Sequence, residues 1–397
     1  MKNIRSFAPV FLGLALCLYV VGCGSNATGG GGSSGGTSVI YVSTTGDDTT
    51  GEGTSAKPYK TIGHALTKVP SSGIISVEAG TYTENLTWPN KNNITLKGAS
   101  RETTVIDGNY TGRCILIDTS LTITSARIEN ITAQKGVATS GYGGAGINMA
   151  RANCTLDLKD VIVRYCSLEA PSGANNGAGV SVSDSTGTLV AINCKVTENH
   201  AHYAADLTRN SVGGVYCSGN ALLSSCEVYN NYSDGVAGGV DVSNGRLENC
   251  LIYGNTAGDK GGGMAFYESD TVEVVNCTII SNESTSDGGG LYSYACQAKI
   301  YNCIFWNNNA TTGSDEVYAR PAALPGTFSI KYCDVKGGTY AGTGNITDEP
   351  QFTSLTNLVP NNITVYNGGT NEAWLPTSDY NGAARTSPYS IGAYEKN

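Results

Sequence analysis

The feature that most constrains this sequence is a repeat that joins a cysteine to an asparagine five residues later. The gaps between successive cysteines are 32, 24, 27 and 26 residues, and a glycine cluster followed by an apolar residue lies between successive pairs. A period of this length is typical of solenoids, which stack similar units on one another. The pairs are Cys194 with Asn199, Cys226 with Asn231, Cys250 with Asn255, Cys277 with Asn282, and Cys303 with Asn308.

Each unit contains short segments in which apolar and polar residues alternate, a pattern of strands and not of helices. In Val240-Asp241-Val242, both valines would face one side and the aspartate the other. One unit cannot bury its own apolar face, so each strand must pair with its equivalent in the next coil. The sequence therefore predicts an all-β fold, a parallel β-helix whose repeats occupy residues 111–333.

Stacking in such a fold would place like residues in ladders. The five asparagines would bond the backbone of neighbouring coils at one turn. The five cysteines recur singly at an apolar strand position, where Cys behaves as a small hydrophobe, and we interpret them as buried free thiols. Disulfide bonds, which are common in secreted proteins, are one alternative, and metal binding is another. No Cys-x-x-Cys pair supports the metal alternative.

The first 22 residues have the features of a bacterial signal peptide. Lys2 and Arg5 precede an apolar run that is shorter than a membrane-spanning helix and ends in small residues. The string Val20-Val21-Gly22-Cys23 resembles the lipobox of bacterial lipoproteins, with Val where Leu is usual. This resemblance implies that Cys23 is acylated, and Gly24 at the next position implies the outer membrane.

The remaining chain divides into a tether and two caps around the repeats. Residues 23–38 are rich in Gly, Ser and Thr and would form a flexible tether. Residues 39–110 would hold the first coils and an N-terminal capping helix from Ile62 to Val69. Residues 334–397 lose the repeat and would form an irregular cap at the C-terminal end, because a solenoid needs both ends covered.

Both ends of the mature chain resemble known families. Tyr41-Val42-Ser43 with the segment 58–62 resembles the leading module of many bacterial parallel β-helix proteins. Arg385 and the segment Ile391-Gly392-Ala393-Tyr394-Glu395 are similar to the terminal module of the choice-of-anchor Q family, with Ser390 where that family usually has Asp. The repeats resemble those of polymorphic outer-membrane proteins. These resemblances imply a right-handed, pectate-lyase-like β-helix at the cell surface, and this architecture by itself fixes no activity.

The outward positions that follow the glycine clusters predict a glycan-binding face. Tyrosine faces and polar neighbours can stack on sugar rings and bond their hydroxyl groups. The residues at these positions are Asn148, Ser181, Tyr216, Asp241, Ala265 and Tyr292.

An enzymatic alternative is polysaccharide β-elimination. It needs a Lys or Arg base and positive charge, often Ca²⁺ on carboxylates, to stabilise the anion. Only Asp241, with Arg246 and Lys260 expected in nearby loops, offers weak candidates. The paired aspartates of an inverting glycosidase are missing from the repeats.

No resident cofactor or metal site is assigned. Calcium at Asp47-Asp48 is left as an alternative, although an Asp pair in a turn commonly shapes the loop. His200-x-His202, with Asp206 and Arg209 downstream, could bind a metal or transfer protons, but the sequence reveals no third fixed ligand.

The sequence thus favours a lipoprotein of the bacterial outer membrane that binds glycan or mediates adhesion. A polysaccharide lyase and a structural surface spacer are the alternatives. We expect a monomer whose partners are a polysaccharide or cell-surface glycan and, through the lipid anchor, the membrane. A net charge of −9 without Lys and Arg clusters argues against nucleic acid.

Overall fold

The computed structural model describes residues 37–139, 143–169, 176–202, 211–267, 271–320, 328–338, 340–354 and 357–395. Over this part of the chain, strands stack in parallel into three long sheets, which confirms the predicted parallel β-helix. Neither described helix is long and apolar enough to cross a membrane. The predicted signal peptide, Cys23 and most of the predicted tether lie outside the described residues.

The first sheet has 18 strands in two columns that lie side by side. Val215–Ser224 and Val240–Glu248 run through both columns and join them. Column 1 also contains Leu86–Thr87, Ile115–Ile117, Ile147–Met149, Val180–Val182, Met264–Phe266, Leu291–Tyr294 and Val317–Arg320. Column 2 also contains Val39–Val42, Ile74–Val77, Ile94–Gly98, Ser125–Glu129, Thr155–Lys159, Thr188–Ile192, Thr271–Val275, Gln297–Tyr301 and Ser329–Lys331.

The second and third sheets complete each coil. The second sheet contains Gly80–Thr83, Thr104–Asp107, Thr132–Gln134, Ile162–Arg164, Lys195–Thr197, Glu227–Tyr229, Leu251–Tyr253, Thr278–Ile280, Ile304–Trp306 and Asp334–Val335. The third contains Val137–Ala138, Ser167–Leu168, His200–Ala201, Tyr232–Ser233, Thr256–Ala257, Glu283–Ser284 and Asn309–Ala310. Asn176–Gly177 and Ser211–Val212 form a separate pair between the third sheet and column 1.

The five cysteines of the repeat lie at the turn between column 2 and the second sheet. All eleven cysteines of the described chain are buried, and none forms a disulfide bond. Cys250 illustrates the ladder, because its thiol donates to the carbonyl of Glu248 at 3.2 Å and to that of Leu223, one coil earlier, at 3.4 Å. Burial raises the pKa of the Cys250 thiol well above its ordinary value. These thiols therefore stay protonated at neutral pH and fill the core as small apolar groups.

The asparagines form a continuous hydrogen-bonded ladder between the second and third sheets. The side-chain amide of Asn231 donates to Asn255 Oδ1 at 3.0 Å, and that of Asn255 donates to Asn282 Oδ1 at 2.9 Å. The Asn255 amide also donates to the Val228 carbonyl of the preceding coil at 2.9 Å. The same pattern holds for Asn199, Asn231 and Asn282, and Asn308 makes the same bond to a carbonyl of the preceding coil.

The glycine clusters leave room for this ladder. A Cβ atom on Gly239 would lie 2.4 Å from the Gly263 carbonyl oxygen and 3.1 Å from Asn255 Nδ2. A side chain there would push the next coil away, because coils stack only about 4.8 Å apart. The Cys, Asn and Gly-Gly positions therefore recur together because all three are needed for one coil to pack on the next.

A residue with left-handed backbone precedes each ladder position and turns the chain into the next sheet. Asn249 (φ 52°) and Asn276 (φ 52°) stand before cysteines, and Asn230 (φ 53°) and Asn307 (φ 55°) stand before ladder asparagines. Asn is the side chain that tolerates this region best after Gly. This preference explains the second set of asparagines in the repeats.

The predicted N-terminal helix is present as Ile62–Lys68. The Thr61 side chain caps it by accepting a hydrogen bond from the His64 backbone N–H at 3.2 Å. Its buried residues Ile62, Ala65 and Leu66 join the solenoid core, next to the strands Val39–Val42 and Ile74–Val77. The helix therefore covers apolar residues of the first coils.

The C-terminal segment departs from the predicted end cap. Asp334 pairs with Ile346 in one parallel bridge that extends the second sheet, but residues 357–395, the C-terminal arm, lie along the side of the solenoid. The arm includes the short helix Ile363–Tyr366. Its backbone meets successive coils, because the Ser378 carbonyl accepts from Asn249 Nδ2 and the Ala393 N–H donates to Thr278 Oγ1, both at 3.0 Å.

The arm lies there because the outward faces of these coils are apolar. It buries Leu251 and Ile280 against Leu358 and Ala393, and Ile304 against Val365 and Ile391. The alternating pattern shows that such residues are not in the core, but it does not show what covers them. A segment that removes them from water is stabilised at about 25 cal/mol per Å² of apolar surface.

A buried ion pair stabilises the C-terminal arm in its position on the solenoid. Arg385 Nη1 lies 3.3 Å from Glu395 Oε2, and both side chains are almost fully buried. Arg385 also donates to Asn249 Oδ1 at 3.1 Å and so ties the arm to the coil beneath it. Asp379 Oδ2 accepts from the Glu395 backbone N–H at 3.1 Å. The residues that resemble the choice-of-anchor Q module are thus the ones that fix the arm.

Candidate functional site

The predicted glycan-binding residues lie in one register along column 1. Asn148 pairs with Ser181, Ser181 with Tyr216, and Tyr216 with Asp241. Ala265 and Tyr292 continue the register. All of them point away from the solenoid core, and several join a separate cluster outside it.

These residues are not an exposed face, which corrects the prediction. The exposed fraction is 1% for Asn148, 0% for Ser181, 7% for Tyr216, 5% for Asp241 and 6% for Tyr292. Described parts of the segments between the third sheet and column 1 cover them: Gly177 lies against Tyr216, and Val212 and Ala237 pack in one cluster with Tyr216 and Tyr292. Alternation assigns a side chain to the inside or outside of the coil, but it cannot show that a connecting segment covers the outside.

Partly exposed tyrosines lie instead in the last coils of column 1, around the buried Tyr292, in a group we call the tyrosine cluster: Tyr267, Tyr292, Tyr294 and Tyr318. The rings of Tyr292 and Tyr318 stack with centroids 5.3 Å apart and an interplanar angle of 3°. The ring of Tyr267 lies 5.7 Å from that of Tyr292. Tyr267, Tyr294 and Tyr318 are partly exposed. Tyr318 continues the register by one coil, so extending the column past Tyr292 would have found it.

Two cations lie over this cluster. Lys260 Nζ lies 5.6 Å from the centre of the Tyr292 ring, and Arg320 Cζ lies 5.1 Å from that of Tyr294. Burial and the neighbouring Tyr318 raise the pKa of Tyr292 to about 12. Burial, followed by the charge of Asp241, raises the pKa of Tyr267 as well. Both phenols therefore keep their protons and remain hydrogen-bond donors.

The sequence predicts that Arg246 lies in a loop, and this prediction is wrong, because Arg246 lies in the strand Val240–Glu248. Its guanidinium donates to Glu248 at 2.7 Å, to Glu273 at 2.9 Å and to the Trp374 carbonyl at 3.0 Å. Arg246 shares its register with Glu273 in column 2, whereas Asp241 shares its register with Ala265 in column 1. The structure therefore does not align the two residues as neighbours in one ladder.

Lys260 lies in a bend of the chain and is paired as well. Its Nζ lies 3.0 Å from Asp259 Oδ2. A general base for β-elimination must reach the proton next to the sugar carboxylate, and a cation held by a carboxylate serves this role poorly. Of the three weak catalytic candidates, Lys260 lies over a ring of the tyrosine cluster, and the charge of Asp241 acts on Tyr267 in the same cluster.

A second group of candidate side chains lies at the third sheet and just after its strands. The rings of His200 and His202 are 3.5 Å apart, and His202 Nδ1 lies 3.3 Å from Asp234 Oδ2. Burial, and then the neighbouring His202, lower the pKa of His200. Asp234, which sequence reasoning missed, holds the position in the next coil that His202 holds in its own, as the pairing of Ala201 with Ser233 shows. Asp206 and Arg209 lie outside the described residues.

The Asp47-Asp48 pair shapes the N-terminal turn. Asp47 Oδ1 accepts from the backbone N–H groups of Thr49 and Thr50 at 2.6 and 2.9 Å. Asp48 Oδ1 accepts from the Lys60 N–H at 2.8 Å. The carboxylates are engaged by the chain itself, as in turns of this type.

Comparisons with known proteins agree with this architecture. The family described as right handed beta helix region matches residues 206–359. The fold is the right-handed parallel β-helix. The crystal structure of pectate lyase Pel9A is similar with a TM-score of 0.56 and 14% identity, over 91% of this chain and 97% of that chain. Pectin methylesterase from carrot has a TM-score of 0.36 and 14% identity, over 74% and 91%.

At this level of identity, the likeness to Pel9A shows the fold alone, because unrelated functions share this architecture. No curated protein matches the sequence. The comparisons therefore establish the β-helix fold.

Proposed function

We propose that this chain is a cell-envelope lipoprotein whose β-helix binds a polysaccharide or cell-surface glycan through the tyrosine cluster. The observation that carries the proposal is the alignment of partly exposed tyrosines on consecutive coils, with Lys260 and Arg320 over two of the rings. A polymer that crosses several coils can stack its sugar rings on such a row and place hydroxyl or carboxylate groups on the phenols and cations.

The similarity in fold suggests which class of polysaccharide to test first. One solved structure with a similar fold is that of a pectate lyase, an enzyme named for pectate. Lys260 and Arg320 would suit the carboxylate groups of such a polymer, because Arg in particular pairs with carboxylates. Adhesion would follow from the same contacts if the glycan belongs to another surface.

Affinity gel electrophoresis with a panel of acidic and neutral polysaccharides tests the proposal. We expect one polymer to retard the wild-type protein. Tyr294→Ala and Tyr318→Ala should each weaken this binding about fivefold, the effect of about 1 kcal/mol at one aromatic contact. Tyr110→Ala, at an exposed tyrosine of the N-terminal coils, is the matched control and should bind as the wild type does.

The lyase alternative is decided in the same samples by ultraviolet absorbance, with and without Ca²⁺. A steady absorbance with retention of the polymer supports binding without cleavage, whereas a rise shows an unsaturated sugar and overturns it. Wild-type protein that no polymer retards, or cluster variants that bind as well as the control, would reject the tyrosine cluster as the site.

A further inference from the structure

We propose that His200, His202 and Asp234 form a binding site for a divalent transition-metal ion, and that Zn²⁺ matches their chemistry best. One ligand atom from each of the three residues lies within 4.8 Å of the other two. Among the described residues, this is the only group of three His, Cys, Asp or Glu side chains that meets this criterion. The site lies in earlier coils than the tyrosine cluster and is independent of the glycan proposal.

The fold brings these groups together for a simple reason. His200 and His202 are two positions apart in extended chain, so both point to the same side, while Ala201 between them is fully buried in the core. Asp234 follows the equivalent strand of the next coil, Tyr232–Ser233. A metal ion here would therefore link two consecutive coils.

The distances are close to those of a loaded site. Zn²⁺ lies about 2.0–2.2 Å from nitrogen and oxygen ligands, so ligand atoms in a tetrahedral site are about 3.3 Å apart. His202 Nδ1 and Asp234 Oδ2 are already 3.3 Å apart. Small rotations of the partly exposed rings would bring the third ligand atom to the same spacing.

A buried polar atom supports the assignment. Among the described groups, His200 Nε2 has no hydrogen-bond partner although it is shielded from solvent. Its ring lies 3.5 Å from that of His202 and 4.4 Å from that of Tyr232. A buried nitrogen lone pair or N–H without a partner costs free energy, and metal binding or a hydrogen bond to a metal-bound group would remove this cost.

The donor set selects the class of ion. Imidazole suits Zn²⁺, Cu²⁺ and Ni²⁺, whereas Ca²⁺ and Mg²⁺ prefer sites made of oxygen atoms alone. Three protein ligands leave a fourth position of a tetrahedral ion for water or for an anionic group. Glu169 occupies the position of His202 one coil earlier, as the pairing of Leu168 with Ala201 shows, and adds negative charge beside the site.

Isothermal titration of the chelator-treated whole protein with Zn²⁺ tests the proposal. We expect one Zn²⁺ per chain, and His202→Ala and Asp234→Asn should each weaken binding at least tenfold. His64→Ala, at the third histidine of the chain, is the matched control and should bind as the wild type does. Melting temperatures measured in chelator should agree among all four proteins, which separates ligand loss from misfolding.

The visible spectrum of the Co²⁺-loaded protein distinguishes the ligands. A tetrahedral nitrogen and oxygen site gives d–d bands without a thiolate charge-transfer band, whereas a strong charge-transfer band would assign the metal to cysteines and overturn the proposal. Absence of Zn²⁺ binding to the wild-type protein would also overturn it, as would unchanged affinity in both variants.

Discussion

The Asn308 side-chain amide donates a 2.5 Å hydrogen bond to the Glu316 carboxylate, which ends the asparagine ladder. The Asn308 backbone N–H donates to the same oxygen at 3.3 Å. Glu316 thus accepts the two hydrogen bonds that the Oδ1 atom of a further ladder asparagine would accept. Burial raises the pKa of Glu316 to about 7, although the bonds from Asn308 act in the opposite direction.

Removing an asparagine from the middle of the ladder should lower the stability of the folded protein. In Asn255→Ala, the Asn231 backbone N–H loses its acceptor, Asn255 Oδ1, and the Val228 carbonyl loses its donor, Asn255 Nδ2, while both groups remain buried. We expect the free energy of unfolding to fall by about 2–4 kcal/mol, since each buried group without a partner costs about 1–3 kcal/mol. Urea denaturation measures this change.

Asn220→Ala is the control for this prediction, because Asn220 is exposed on a strand of the same solenoid. Its free energy of unfolding should lie within about 0.5 kcal/mol of the wild-type value. Equal losses in the two variants would mean that the ladder does not stabilise the fold more than a surface position does.

The sequence predicts the ladders and the fold because a solenoid repeats one local requirement at every coil. Cys250 and Asn255 have the same neighbours as their equivalents in adjacent coils, so the pattern recurs at a fixed spacing. Gly239 recurs for the same reason, since the next coil passes over it.

What the sequence does not predict depends on contacts that occur once. Tyr216 is outward, as predicted, but it is buried in a cluster with Val212 and Ala237, which lie in the connecting segments before column 1. The arm that buries Leu251 comes from more than 100 residues away in the chain. Asp234 was missed because its partner His202 is a neighbour only through the stacking of coils. Unique long-range contacts leave no periodic signal in one sequence.

Asp334 makes stability depend on pH. Burial, and then the charge of Asp348, raise the pKa of Asp334 to about 8. The unfolded chain would have an aspartate pKa of about 3.9, so the folded state binds more protons between these values and stability falls as the pH rises from about 4 to 8. Asp334→Asn removes this dependence and should be more stable than the wild type at pH 8.

The difference in melting temperature between Asp334→Asn and the wild type should shrink towards pH 5, where the wild-type carboxyl group is protonated. Glu283→Gln alters an exposed carboxylate and should follow the wild-type pH dependence. A variant that is equally destabilised at pH 5 and pH 8 would contradict the assignment of this pH dependence to Asp334.

Breaking the ion pair of the C-terminal arm should release the arm. Arg385→Met leaves Glu395 buried without its cation, which typically costs about 3–5 kcal/mol. We expect limited proteolysis to cut the arm of this variant while the coils up to residue 320 remain intact. Lys57→Met, which breaks an exposed pair with Glu52, should leave the digestion pattern unchanged. Equal resistance of Arg385→Met and the wild type would show that apolar packing alone holds the arm.

Lipidation at Cys23 is tested in cells, by fractionation of the producing bacterium. Cys23→Ser removes the thiol that would be acylated, so we expect the protein to move from the membrane fraction to the soluble fraction. An acyl chain adds about 0.8 kcal/mol of membrane affinity per buried CH₂ group, and the variant would lose all of it. Cys250→Ser, which changes a core thiol, should stay with membranes; membrane retention of Cys23→Ser would reject the anchor.

The cysteine ladder predicts a sharp contrast between folded and unfolded protein. The thiols of the ladder are buried, and burial raises the pKa of Cys194, Cys250, Cys277 and Cys303. The pKa of Cys226 is also raised: its hydrogen bond with Cys194 lowers it, but its hydrogen bond with Cys250 and burial outweigh that effect. Because the thiolate is the reactive form, an alkylating reagent should leave these five cysteines unmodified at pH 8 in the native protein. In guanidinium chloride without reductant, mass spectrometry should find all five alkylated. Disulfide-linked peptides in the unreduced digest, or rapid native alkylation, would contradict a ladder of buried free thiols.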